Sequence, residues 1–189
     1  MRVIAGSAKG RALIAPAGFD TRPTSDRMKE ALFSALGGEI YDADFLDLFA
    51  GTGAIGIEAL SRGAVKAVFV ERSRSASVIR ENLARTRLSG EIIKADFRDA
   101  IKRLGSEGRA FNVVFMDPPY DSGYARNALE AVERYGVLRP RCIVVAEQRS
   151  NDPPLDPPSD ALTIYKIKSY KTTRFTFFIR ETDESEETS

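Results

Sequence analysis

Asp117-Pro118-Pro119-Tyr120 forms a compact acceptor for a planar amino group. Both prolines fix φ, and Pro119 holds Pro118 extended. The Asp117 carboxylate and the Pro118 carbonyl are therefore expected to take the two hydrogens of one amino group. An exocyclic base nitrogen is a weak nucleophile, because its lone pair is delocalised into the ring. Accepting both N–H bonds favours a pyramidal nitrogen, localises the lone pair and stabilises the positive charge that develops there. Tyr120 offers a ring face to the base, a stacking contact worth about 1–3 kcal/mol. The competing structural reading is a rigid proline turn with a surface tyrosine.

A second segment, Asp47-Leu48-Phe49-Ala50-Gly51-Thr52-Gly53-Ala54-Ile55-Gly56, fits the G-x-G-x-x-G pattern, and Glu71 lies twenty residues beyond Gly51. Such glycines permit a tight turn and close approach of backbone to a ligand. A glutamate at that distance can accept two ribose hydroxyls. Nicotinamide dehydrogenases and S-adenosylmethionine-dependent methyltransferases share both features, so this pattern alone leaves the cofactor open. Two details favour S-adenosylmethionine. Asp47 would repel a pyrophosphate but suits a cationic amino group. Asp96-Phe97 offers an acceptor for an adenine amino group beside a ring for the purine, although Asp96 also suits a plain helix N-cap. The expected cofactor contacts are Asp47, Phe49, Gly51, Thr52, Gly53, Glu71, Asp96 and Phe97.

These residues need a frame. From Asp44 onward, apolar strand-length runs alternate with helical periodicity. The pattern predicts strands at 45–49, 65–70, 91–95, 111–116 and 142–147, and helices at 55–61, 76–88, 97–104 and 124–135. Earlier, Met28, Ala31, Leu32, Ala35 and Leu36 mark a helix that Gly37-Gly38 stops, and 2–5 with 11–14 reads as a small hairpin. Four prolines between Asn151 and Asp160 mark a loop, and 162–168 with 174–180 reads as a closing hairpin. Strands alternating with helices imply a doubly wound α/β fold, a mostly parallel seven-stranded Rossmann-like sheet with an antiparallel C-terminal hairpin. In such sheets ligands lie outside the carboxyl ends of the strands. Asp47, Glu71, Asp96 and Asp117 are all expected there, around one crevice. The expected divisions are a basic N-terminal extension at 1–38, a methyltransferase domain at 39–180 and an acidic, disordered tail at 181–189.

Composition narrows the chemistry. The 189 residues include no histidine, which removes imidazole acid–base and nucleophilic machinery. Lone Cys142 cannot form an internal disulfide, and no cysteine or histidine cluster suggests a metal. No apolar run reaches membrane-spanning length, so a cytoplasmic protein, a monomer, is expected. Residues 1–180 carry a net +6 once the acidic tail is set aside. Six of the first thirty residues are basic, including Arg2, Lys9, Arg11, Arg22 and Arg27, which suits contact with a polyanion.

The chain resembles the RsmD-type small-subunit (16S) ribosomal RNA guanine-N2 methyltransferases of bacteria over about residues 1–180. The resemblance rests on Asp47 to Gly53 and Asp117 to Tyr120, together with Met1-Arg2-Val3-Ile4-Ala5-Gly6, Lys9-Gly10-Arg11, Thr21 to Arg27 and Glu30-Ala31-Leu32-Phe33. It implies methyl transfer from S-adenosylmethionine to the 2-amino group of a guanine in 16S rRNA, within the small ribosomal subunit or an assembly intermediate. Gly51 and Gly53 would lie beside the methionine part, Glu71 on the ribose, and Asp96 with Phe97 at the adenine. Asp117 to Tyr120 would hold the base, and the basic arm would meet flanking phosphates. Tyr170-Lys171-Thr172-Thr173 departs from the family's Tyr-Gly-Asp-Thr turn. DNA adenine-N6 transfer is the nearest rival, because the same tetrapeptide serves both amines. A nicotinamide-dependent oxidoreductase and a non-catalytic RNA-binding module are more distant ones.

Overall fold

The structure, a computed structural model, describes residues 1–15, 26–119 and 123–181. It forms two compact units, Met1–Ala100 and Ile101–Ser189. The first contains α1 (Asp26–Leu36), a 3-10 turn (Gly37–Ile40), β1 (Asp44–Asp47), α2 (Ala54–Ser61), β2 (Lys66–Val70), α3 (Ser75–Thr86) and β3 (Glu91–Ile93). Helix α4 (Phe97–Ser106) leads into the second, which holds β4 (Phe111–Met116), α5 (Tyr124–Arg134), β5 (Leu138–Arg149), β6 (Leu162–Ser169) and β7 (Thr173–Arg180). The strands form one seven-stranded sheet in the order β3-β2-β1-β4-β5-β7-β6. Parallel pairing joins β1 to β2, β2 to β3 and β4 to β5, while β7 is antiparallel to both β5 and β6. The expected doubly wound architecture is present. No helix among the described residues is long and apolar enough to cross a membrane.

In the first unit, the apolar strands fold because helices cover them. Ala67 to Val70 of β2 are all buried, as is every residue of α2. Gly56 lets α2 approach β2, since a Cβ there would lie 2.3 Å from the Phe69 ring. The N-terminal segment makes a turn with one antiparallel bridge, Arg2 to Ala12, where two short strands were expected. Some of its donors go to α2. Ile4 and Ala5 donate to Glu58 at 2.8 and 3.0 Å, and Ala8 donates to the Ser61 hydroxyl at 2.9 Å. The arm is therefore stitched both to itself, with Val3 donating to the Arg11 carbonyl at 2.9 Å and Leu13 to the Met1 carbonyl at 3.0 Å, and to α2.

In the second unit, β5 begins four residues earlier than the apolar pattern at Cys142 suggests. Arg139, Pro140 and Arg141 are exposed, so they carry no hydrophobic signal, and Arg141 adopts a left-handed φ of 59°. The closing hairpin is present. Its turn is held by a Tyr170 N–H to Thr173 carbonyl bond of 2.8 Å and by the Ser150 hydroxyl on the Lys171 carbonyl at 3.0 Å.

Candidate active site

The glycine turn after β1 is a hydrogen-bonded unit built by acids. Asp47, at the end of β1 and 1% exposed, accepts the Gly56 N–H at 2.9 Å. Glu71, following β2, accepts the Gly51 N–H at 2.9 Å with Oε2 and the Ser73 N–H at 2.7 Å with Oε1. Each carboxylate oxygen has a second lone pair, so Glu71 keeps capacity for another donor. Gly51 and Gly53 have φ of 53° and 77°, the left-handed region where glycine carries no Cβ penalty. A Cβ on Gly51 would meet no atom within 4 Å, so backbone at this turn faces open space. The Thr52 carbonyl accepts from Asn82 Nδ2 at 2.9 Å.

Asp96 and Phe97 open α4. Asp96 Oδ1 accepts the Arg98 N–H at 3.0 Å, the helix-capping geometry, and the residue keeps partial exposure. Phe97 is 4% exposed and packs on Phe49, with ring centroids 5.2 Å apart at 45°. The Arg98 guanidinium lies 4.7 Å from the Phe97 ring centroid. The structure thus gathers Asp47, Gly51, Thr52, Gly53 and Glu71 around one turn, and pairs Phe49 with Phe97.

In the second unit, Asp117 directly follows β4 and is half-buried; Pro118 is buried and Pro119 exposed. Tyr120 lies outside the described residues. The parallel register pairs Met116 with Ala146, so the next residues along the two strands are Asp117 and Glu147. Glu147 is 6% exposed. Desolvation pushes the Asp117 carboxyl up to about 7. Burial, with the facing Asp117 charge, pushes Glu147 up to about 9. Both shifts run the same way, so each carboxyl holds its proton to higher pH than an exposed one does.

Among the expected RNA contacts, Lys9 and Arg27 are exposed. Arg2 is exposed too, with its Nε 3.3 Å from Asp26. Arg11 donates to the Arg85 carbonyl at 2.9 Å, and Arg22 lies outside the described residues. Lys29 presents no charge to solvent: it is fully buried, with its ammonium 3.5 Å from the equally buried Glu58. Desolvation lowers its pKa, against the raising effect of Glu58.

Sequence reasoning passed over Glu147 and Asn82. A signal for the first existed: Glu147 ends the apolar run Cys142 to Ala146, as Asp117 ends Val113 to Met116. Asn82 carried none, because a polar residue on a helix reads as solvated until its burial is known. It is 0% exposed and bonds Ile14 as well as Thr52.

The family described as "Conserved hypothetical protein 95" matches residues 1–179. "Ribosomal RNA small subunit methyltransferase D" of Escherichia coli is 36% identical over 78% of this chain and 74% of its own length. The protein of the same name from Haemophilus influenzae is 35% identical over 83% of each. Among solved structures, the Escherichia coli protein yhhF superposes with a TM-score of 0.86 at 30% identity, covering 97% of this chain and 99% of that one. A match over nearly the whole length, on a fold shared with class I methyltransferases, means that the chain belongs to the Conserved hypothetical protein 95 family.

Proposed function

We propose that this protein transfers a methyl group from S-adenosylmethionine to the exocyclic 2-amino group of a guanine in 16S rRNA of the small ribosomal subunit. The observation that carries the reading is Asp117-Pro118-Pro119 directly after β4, in a chain whose curated relatives are named ribosomal RNA small subunit methyltransferases.

The residues of the first unit fit the cofactor. Open space at Gly51, the half-buried Glu71 and Asp96, and a strand-end set of acids suit ribose hydroxyls and cationic groups rather than a pyrophosphate. Glu71 would take the ribose, Asp96 the adenine amino group, and the Gly51 to Gly53 backbone the methionine part. S-Adenosylmethionine supplies a methyl carbon activated by its bond to a sulfonium. The Asp117 carboxylate and the Pro118 carbonyl would hold the two amino hydrogens and localise the nitrogen lone pair. Asp117 would counter the positive charge that develops on the nitrogen as it gains the methyl group. The surplus N–H proton then passes to the Asp117 carboxylate. A carboxyl pushed up to about 7 is a competent acceptor near neutral pH.

The deciding test incubates the protein with labelled S-adenosylmethionine and small subunits lacking the modification, followed by nucleoside mass spectrometry. Label is expected in N2-methylguanosine. Label in N6-methyladenosine, or none, overturns the reading. Arg2, Lys9 and Arg11 are proposed to neutralise phosphates beside the target. Replacing all three with Ala should reduce the slope of log affinity against log salt by about 2, from ~0.7 per phosphate contact on single-stranded RNA. An unchanged slope removes the arm from the RNA site.

A further inference from the structure

An acceptor for an amino group does not by itself choose guanine over adenine, since both bases carry one. The difference lies beside it. Guanine flanks its 2-amino group with a donor, N1–H, whereas the nitrogen beside the adenine amino group is a bare acceptor.

Glu147 is placed to sense that difference. Its position beside Asp117 follows from the Met116–Ala146 register at the carboxyl ends of β4 and β5. It is 6% exposed, yet its Oε2 has no hydrogen-bond partner among the described residues. Among the described residues, those beside it on β7 do not supply one. The residue paired with it on β7 is Phe175. The adjacent cation on that strand, Arg174, commits its guanidinium to the Asp152 and Ser150 carbonyls, both at 2.7 Å. A buried acceptor left without a donor is unfavourable and rare in folded proteins. An oxygen in this state, next to the group that holds the reacting amine, fits a donor that arrives with the substrate.

We propose that Glu147 is a specificity residue that reads the target guanine, its Oε2 accepting the N1–H beside the amino group held by Asp117. This rests on the guanine-N2 reading given above. With no partner among the described residues, Oε2 is the oxygen left to accept. A base whose N1 is unprotonated then sets lone pair against lone pair.

2-Aminopurine provides the test, because it keeps the 2-amino group but has a bare N1. Small subunits are reconstituted with 16S rRNA carrying either guanine or ligated 2-aminopurine at the nucleotide that the wild-type protein methylates. Single-turnover rates are then compared for wild type, Glu147→Gln and Glu147→Leu. Wild type should favour guanine by roughly 10- to 100-fold, the factor expected for one buried polar group left unpaired. Glu147→Gln should narrow that preference at least several-fold, because its amide can turn an N–H toward a bare N1. Glu147→Leu should remove the share of it that Glu147 supplies, leaving only what the missing 6-oxo group costs. Loss of the 6-oxo group is common to all three proteins and cancels in the comparison. Should the leucine variant fail to fold, judged by calorimetric binding of S-adenosylmethionine, the glutamine variant still decides. Equal slowing on both bases, with the preference unchanged, overturns the inference and makes Glu147 structural. Absence of N2-methylguanosine from the wild-type reaction instead sinks the functional reading on which it rests.

Discussion

Asp117→Ala is expected to lower kcat by about 100- to 1,000-fold, the loss typical when one preorganised electrostatic contact to a transition state is removed. Binding of S-adenosylmethionine should be unchanged, because the residues proposed to hold it, Gly51 to Gly53, Glu71 and Asp96, belong to the first compact unit. Asp117→Asn separates the two parts of the role. It retains a carbonyl acceptor but loses the charge that opposes positive charge on nitrogen, and it cannot take up the leaving proton. The pH profile should report the same group. Burial raises the Asp117 pKa to about 7, so its protonated form dominates below that pH and its ionised form above. The wild-type rate should therefore climb as pH rises through about 7, and Asp117→Asn should lack this limb. Single-turnover measurements from pH 5.5 to 8.5, an interval of about 1.5 units on either side of that value, decide the matter. Near-normal turnover in Asp117→Ala ends the role assigned to the carboxylate.

The frame and one part of the site could be read from residues alone, for a definite physical reason. Strands buried on both faces announce themselves as nearly continuous apolar runs, and β4 spans Phe111–Met116 as that pattern predicts, with Asn112 the one polar residue in it. Strand order makes the next residue, Asp117, a site candidate without reference to anything else. Glycines with positive φ, such as Gly51 and Gly53, also leave a direct mark, because few other residues tolerate that backbone. The sequence hid whatever depends on register or on which face a polar residue takes. Glu147 acquires significance only when the β4–β5 pairing sets it beside Asp117. Lys29 counted as surface charge until packing placed it at 0% exposure. The bond from the Gly56 N–H of α2 to Asp47 Oδ2 likewise becomes visible only in the fold.

Glu58 is where the largest loss of stability is expected. Its carboxylate is fully buried and meets four groups: the Ile4 and Ala5 amides, Arg62 Nε at 2.8 Å, and the Lys29 ammonium at 3.5 Å. Lys29 also donates to the Arg2 carbonyl, so one buried ion pair ties α1, α2 and the N-terminal arm together. Removing one member of a buried pair leaves the other charge uncompensated, at a cost of about 3–5 kcal/mol. Glu58→Ala should fall in that range, which for a chain of this size lowers Tm by roughly 6–20 °C. Lys29 has a lowered pKa before any substitution, so in the variant it escapes part of the penalty by shedding its proton. The loss should consequently lie toward the lower end at high pH and toward the upper end below neutrality. Pairing Glu58→Gln with Lys29→Met distinguishes the charge from the hydrogen bonds. If the uncompensated ammonium dominates, the double variant recovers stability relative to Glu58→Gln alone. If the Ile4 and Ala5 amides dominate, it does not. Strictly additive losses across that cycle, in calorimetry or denaturant titration, would show that Lys29 and Glu58 do not act as a pair. The same variants bear on function, because the arm carrying Arg2, Lys9 and Arg11 is held to α2 through Glu58 and Ser61. Loosening it should weaken RNA binding more than cofactor binding.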